Sequence, residues 1–375
     1  FRSSGTTANN GGLEVVYGGA RASGTIVNSG GNQNVSAGGV ASSTQVNSSG
    51  TQTVYSGAVA SGTIVNSGGL LTVHGSGGRA TGILMNSGGA LAVTIGGGTG
   101  QLASGNYIVG GLSSSFVASG NDASGLVINS RGLLAISSGG VASATQLNAN
   151  EFVSSGGTDS AASINIGGYQ YLSGGTAISA QINSGGAQNV RSGGYASSTQ
   201  INSGGNQYVS SGALTTGTQI KSGGAQSVYS GAVASGTSVS SGGTENLFSG
   251  GVGSGIVVNV GGIQAIYSGG LAVGTIVNSG GLLTLNGAGG SATSILLSSG
   301  GALAVTIGGG TNQLANGSYI SAGTSVNFYA SGNYASGLVI NGLGSLKVLS
   351  GGERTRLALA TLVVSAANVL LLDEP

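Results

Sequence analysis

Cysteine and tryptophan are absent from the 375 residues, and proline, methionine and histidine occur once each. Without cysteine there is no disulfide framework and no thiolate metal site. A single histidine excludes catalysis through several imidazoles. Charged residues make up 5% of the chain, with a net charge of +1. That supplies no electrostatic footprint for nucleic acid. No uninterrupted apolar run of about 18 residues appears, so no spanning helix is expected. The longest apolar candidate, residues 357–372, is broken by Thr361, Ser365 and Asn368. The chain opens on Phe1 and closes on Asp373-Glu374-Pro375. It is expected to be a fragment at both ends. The lack of cysteine fits an exported protein.

What the chain has instead is glycine, 80 residues of it. Collagen needs glycine at every third position with abundant proline, and neither holds. Disorder is excluded by 39% hydrophobic residues, which provide apolar surface to bury. The glycines fall in a repeat. Asn28, Asn47 and Asn66 are 19 residues apart, as are Asn183, Asn202, Lys221, Ser240, Asn259 and Asn278. Residues 25–43 read TIVNSGGNQNVSAGGVASS, three short strand-like pieces separated by Gly-Gly pairs. Glycine supplies the positive-φ corners of tight turns.

Columns of the repeat predict faces, because strand side chains alternate. Val27, Val46, Val65, Met85, Ile182, Ile201 and Ile220 form one aliphatic column. Val35, Val54, Val73, Val190, Val209 and Val228 form another, and both should point inward. The Thr25 column holds Thr44, Thr63, Thr199, Thr218 and Thr237 but also Ile83, Ile256 and Ile295. The Gln33 column holds Gln52, Gln188, Gln207 and Gln226 but also Leu71, Leu91 and Leu283. Polar residues that interchange with Leu or Ile suggest the edge of the core, each bonded to the identical residue one coil away. The pattern predicts an all-β fold, a parallel three-sided β-helix of about 19-residue coils that bury their apolar faces by stacking.

A longer repeat lies over the first. Residues 58–140 recur at an offset of 212, with Ala90–Ile95 matching Ala302–Ile307. The interval Asn86 to Asn129 is 43 residues, read as two coils plus five that bulge within 96–125. The second copy has its bulge within 308–337. These regions carry Tyr107 and Phe116 in one copy and Tyr319, Phe328, Tyr329 and Tyr334 in the other. They form an exposed contact surface or, alternatively, cap a gap in the core.

Period, Asn-Ser-Gly-Gly corner and Gln column together resemble the repeat of AIDA-type and antigen-43-type autotransporter adhesins, over residues 10–352. The resemblance implies a right-handed β-helical passenger, exported to the bacterial surface by a C-terminal barrel. It implies adhesion to a host or abiotic surface, or self-association in aggregates and biofilm. It also implies possible sugars on corner serines such as Ser29, Ser67, Ser184 and Ser203, which are otherwise small turn residues. The Asn28–Asn47–Asn66 ladder is one candidate association face; alternatively it only stabilises the corner. A passive stalk is a further reading.

The tail reads differently. Residues 349–375 resemble an ABC ATPase, from the signature Leu349-Ser350-Gly351-Gly352-Glu353 through a helix to a Walker B strand ending at Asp373 and Glu374. That resemblance implies an α/β tail. Ser350 and Gly352, with Gly351 between them, would contact a γ-phosphate; Asp373 would act on Mg²⁺, and Glu374 would polarise the attacking water. The sequence has no G-x-x-x-x-G-K-[ST] phosphate loop, and its two lysines, Lys221 and Lys347, lack that context. This chain alone is not expected to hydrolyse ATP. The copies at offset 212 agree through Ser138-Gly139-Gly140 and Ser350-Gly351-Gly352, then diverge. Two segments are therefore expected, a repeat body 1–352 and a tail 353–375. The tail reads as a chimera joined at a shared Ser-Gly-Gly, with a natural fusion or a helical cap as rivals.

No cofactor or metal site is expected. Calcium-binding nonapeptides need an Asp in every turn, and there are only Asp122, Asp159 and Asp373. A flat ice-binding threonine array is not expected either, because the threonine column interchanges with Ile. The body acids, Glu14, Asp122, Glu151, Asp159 and Glu245, look like scattered, solvated charges. Only Glu151 and Asp159 approach one another in sequence, eight apart, so no hydrolase pair is expected.

Overall fold

A computed structural model describes residues 1–321 and 323–349, with the backbone strand pairs 356–357 and 370–371. Two compact units are present: Phe1–Gln181 with Gly185–Gln188, and Ile182–Ser184 with Asn189–Pro375. Among the described residues every regular element is a strand.

Each coil of the first unit lays down three strands, as the repeat predicts. One coil contributes Val40–Ser42, Gln45–Val46 and Thr51–Val54. Each pairs in parallel with its counterpart 19 residues on: Val40 with Val59, Gln45 with Ile64, Thr51 with Leu70. The second unit repeats the arrangement, with Leu214 opposite Val233, Gln219 opposite Ser238 and Ala225 opposite Thr244. A register of one full repeat stacks like residue on like. The aliphatic columns Val27–Val46–Val65 and Val35–Val54 are fully buried, as are Ile201–Ile220–Val239 in the second unit.

The paired glycines serve two purposes. Gly68 has φ +72°, the left-handed corner that glycine favours. Gly69 has no such φ; a Cβ there would sit 2.6 Å from the Val46 carbonyl oxygen one coil away. Gly69→Ala should therefore cost about 1–3 kcal/mol through backbone displacement, read as a lower urea midpoint.

The 43-residue interval is not two coils plus a bulge. Ala92–Ile95 pairs directly with Leu133–Ile136, so only one coil advances there. The surplus is a β-hairpin, Leu102–Val109 antiparallel to Leu112–Ser119. The second copy has the same insertion, Leu314–Ser321 against Thr324–Ser331. Coil counting missed it because a hairpin folds on itself and adds nothing to the third face. In the tail, the backbone strands Arg356–Leu357 and Leu370–Leu371 pair in parallel with Tyr334–Ala335 and Lys347–Val348. The helix expected between them lies outside the described residues. No helix among the described residues is long and apolar enough to cross a membrane.

Candidate functional site

The polar columns lie inside the core rather than at its edge. Gln33, Gln52, Gln207 and Gln226 are fully buried, and Thr25, Thr44 and Thr63 nearly so. Such amides require partners, and two kinds are present. Where glutamine follows glutamine, it donates to the one a coil earlier: Gln52 Nε2 to Gln33 Oε1 at 2.7 Å, Gln226 Nε2 to Gln207 Oε1 at 2.7 Å. Threonines donate across the core to the Gln eleven residues before them: Thr44 to Gln33 at 2.9 Å, Thr63 to Gln52 at 2.9 Å, Thr237 to Gln226 at 3.0 Å. Threonine thus pairs with glutamine and not, as expected, with threonine.

The acids are the largest correction. Glu151 and Glu245 are fully buried in the glutamine column, opposite Gln170 and Gln264. Asp159 is buried in an alanine column, between Ala142 and Ala177. The two glutamates escaped notice because Glu is isosteric with Gln; the 19-residue frame, applied to all three acids, would have placed them inside. Gln170 Nε2 donates to both Glu151 Oε2 at 2.6 Å and Asp159 Oδ2 at 2.7 Å. Burial raises both carboxyls of this pair, Asp159 to about 6. The other oxygens, Glu151 Oε1 and Asp159 Oδ1, have no hydrogen-bond donor. A proton shared by the pair relieves the repulsion between them. This is a structural pair, because both side chains face the packed interior.

Glu245 is raised to about 7 by burial, against which a hydrogen bond from Gln264 acts. Glu14 behaves oppositely. Its partial burial acts to raise it, but donors from Gln33, Thr25 and Ser3 outweigh that and hold it below the ordinary carboxylate value. Asp122 is exposed.

The asparagine column forms a ladder along one corner. Asn28 Nδ2 donates to Asn9 Oδ1 at 2.9 Å, Asn47 to Asn28 at 2.8 Å and Asn66 to Asn47 at 2.7 Å. In the second unit Asn202 donates to Asn183 at 2.8 Å. Apart from the exposed Asn9, these amides are half-buried, and all are bonded to one another, which favours the corner-stabilising reading. Ser29, Ser67, Ser184 and Ser203 are exposed at the turns beside them.

The aromatic residues of the insertions divide. Tyr107, Phe116 and Phe328 are buried, with 3–4% of each exposed, so they do not form a contact surface. Tyr107 and Phe116 pack at 4.6 Å between ring centres. The Tyr107 hydroxyl donates to the Val127 carbonyl at 2.8 Å and accepts from the Val127 amide at 3.0 Å. It supplies to Val127 the bonds that a neighbouring strand would otherwise make. Tyr107→Phe should lose about 1–2 kcal/mol, checked by thermal unfolding. Tyr329 and Tyr334 are each 42% exposed, and Tyr319 is part-exposed. Ser350, Gly351, Gly352, Asp373 and Glu374 lie outside the described residues. An outer stack went unread in the sequence: Tyr229, Phe248 and Tyr267 lie ring over ring at 5.0 and 4.8 Å. Their 19-residue spacing was the available signal.

The family model "Adhesin of bacterial autotransporter system, probable stalk" matches residues 18–69. Among solved structures, the chain is similar to a hyper-glycosylated TibA fragment, residues 55–350, whose glycosylation is catalysed by TibC. Identity is 35%, over 80% of this chain and 96% of that one, with a TM-score of 0.49. The chain belongs to the AIDA adhesin family. That kinship rests on sequence identity rather than on the superposition. An ABC transporter model matches residues 338–375, a short match confined to the end of the chain. No curated protein matches. The chain's family is one of adhesin stalks, a structural class.

Proposed function

We propose that this chain is a segment of a bacterial cell-surface adhesin passenger that mediates adhesion or self-association. The observation that carries the reading is the outer surface of the coils. Columns such as Asn34, Thr53 and Thr72 repeat in strict register and are part-exposed and uncharged. Many small contacts along such a face sum by multivalency, and a net charge of +1 lets copies approach. The asparagine ladder holds the corner, leaving the neighbouring outward columns to meet a partner. Sedimentation velocity of the purified chain across a concentration series tests this. Concentration-dependent growth in mass is expected; a monomer at every concentration would contradict self-association.

The TibA relative is hyper-glycosylated, and the exposed Ser29, Ser67, Ser184 and Ser203 are suitable acceptors here. Co-expression with TibC should raise the intact mass by whole sugars, and an unchanged mass would remove the idea. Residues 353–375, which carry most of the ABC-type match, are proposed to be a chimera joined to the adhesin at Ser-Gly-Gly. Long-read sequencing of the locus across codon 352 decides it. Repeats that continue support the chimera, and one reading frame into a complete nucleotide-binding domain refutes it.

A further inference from the structure

Charge is rare in this chain, and in the first unit it gathers in one place. Three of that unit's four arginines, Arg2, Arg21 and Arg79, fall in one column of the repeat. Strand Arg2–Ser4 pairs in parallel with Arg21–Ser23, which sets Arg2 opposite Arg21 and Ser4 opposite Ser23. Ser42 and Ser61 continue the serine column over the next two coils. Ala22, between Arg21 and Ser23, is buried, so alternation turns the arginine and the serine outward on the same side. Arg2, Arg21, Ser4 and Ser23 are exposed. The two columns line an open groove of about 470 Å³.

Stacked coils hold opposed residues about 4.8 Å apart. Guanidinium groups stay charged throughout the working pH range, and like charges directly opposite destabilise a sheet. No acid offsets them here. Residues 1–121 contain one acid, Glu14. Its carboxylate is turned inward, where Ser3, Thr25 and Gln33 donate to it. Among the described residues neither Arg2 nor Arg21 has an ion pair or a side-chain hydrogen bond. Val40 and Val59 fill the column over the next two coils before Arg79 restores the charge.

We propose that this groove binds the sulfate or phosphate ester groups of an anionic polysaccharide. Guanidinium forks match the oxygens of such an oxyanion, and serine hydroxyls donate to the rest. One ester group between Arg2 and Arg21 turns their repulsion into binding. Arg79 lies three coils from Arg21, about 14 Å along the column, and offers a second point of attachment. Repeated positive points favour a chain of charged sugars over a lone ion. The inference rests on the adhesion reading, to which it gives a partner chemistry, and does not depend on self-association.

Fluorescent dextran sulfate titrated into the full chain is the probe, with neutral dextran as control. Only the sulfated polymer should bind, and more weakly as salt screens the charges. Arg2→Gln with Arg21→Gln should weaken binding roughly tenfold, with a melting temperature no lower than the parent's. Arg191→Gln with Lys221→Gln removes the same charge from the second unit and should leave the affinity unchanged. Dextran phosphate, titrated likewise, separates the two esters; binding of either through the arginines supports the inference. Equal losses in the two double variants, no binding to either polymer, or tighter binding to phosphatidylglycerol vesicles overturns it. Sedimentation of the parent still decides self-association in each of those cases.

Discussion

Glu245→Gln is expected to stabilise the protein at pH 8 and leave it almost unchanged at pH 4.5. Glu245 occupies a column in which a glutamine such as Gln52, Gln226 or Gln264 donates Nε2 to the side chain one coil before it. A carboxylate has no donor for Gln226, whereas a protonated carboxyl has one. Its Oε1 is buried without a partner. Elsewhere a threonine eleven residues on supplies a donor, but here that position is Ile256. Burial accordingly lifts its pKa from the ordinary 4.5 to about 7. Because the folded value lies above the unfolded one, the associated stability is fully present below pH 4.5 and is lost as pH rises through 7. The loss at pH 8 is on the order of 3 kcal/mol. Glutamine in that place completes the Gln226–Gln264 run and does not titrate. Urea unfolding of parent and variant at the two pH values gives the difference. Glu151 and Asp159 act in the same direction, so the triple variant Glu151→Gln, Asp159→Ala, Glu245→Gln should have the flattest pH profile. A parent whose stability rises between pH 5 and 8 would refute the buried, protonated acids.

The second large effect is a coupling between two core positions. Gln52→Leu leaves the Thr63 hydroxyl buried without its acceptor, and Thr63→Ile leaves Gln52 Oε1 without that donor. Each single variant should cost about 1–3 kcal/mol. The double variant should cost less than the sum by about 2 kcal/mol. It extends by one coil the apolar pairing that Leu71 and Ile83 already make above it, both buried. Gln33 keeps a partner throughout, because Thr44 still donates to its Oε1. A double-mutant cycle in urea measures the coupling, and strict additivity would mean that the cross-core bond contributes nothing.

The sequence columns already contained this pairing. Gln33, Gln52 and Gln264 are followed at +11 by Thr44, Thr63 and Thr275, whereas Leu71 and Leu283 are followed at +12 by Ile83 and Ile295. Read one column at a time, the mixture suggested the edge of the core; read as pairs, it specifies a buried polar network alternating with apolar blocks. The period, the three strands per coil and the inward aliphatic columns were legible because stacking forces one residue type on its own kind. The hairpins were not, since an antiparallel insertion obeys no 19-residue period and leaves only an odd interval, Asn86 to Asn129. The acids were misplaced because charge was read as exposure, and a protonated Glu in a Gln column violates that assumption. Of the aromatic residues singled out, Tyr329 and Tyr334 reach the surface, while Tyr107 turns inward to bond Val127. Nothing local to Tyr107 distinguishes the two fates.

The central claim is that this uncharged, repetitive surface joins cells or copies of itself together. The most direct measurement is the settling of a non-aggregating bacterium that displays the chain on its surface through a β-barrel translocator. Faster settling than cells displaying the barrel alone is the predicted result, abolished when purified chain is added in excess. Cells that stay dispersed and adhere to no surface, with the chain displayed and folded, would contradict it.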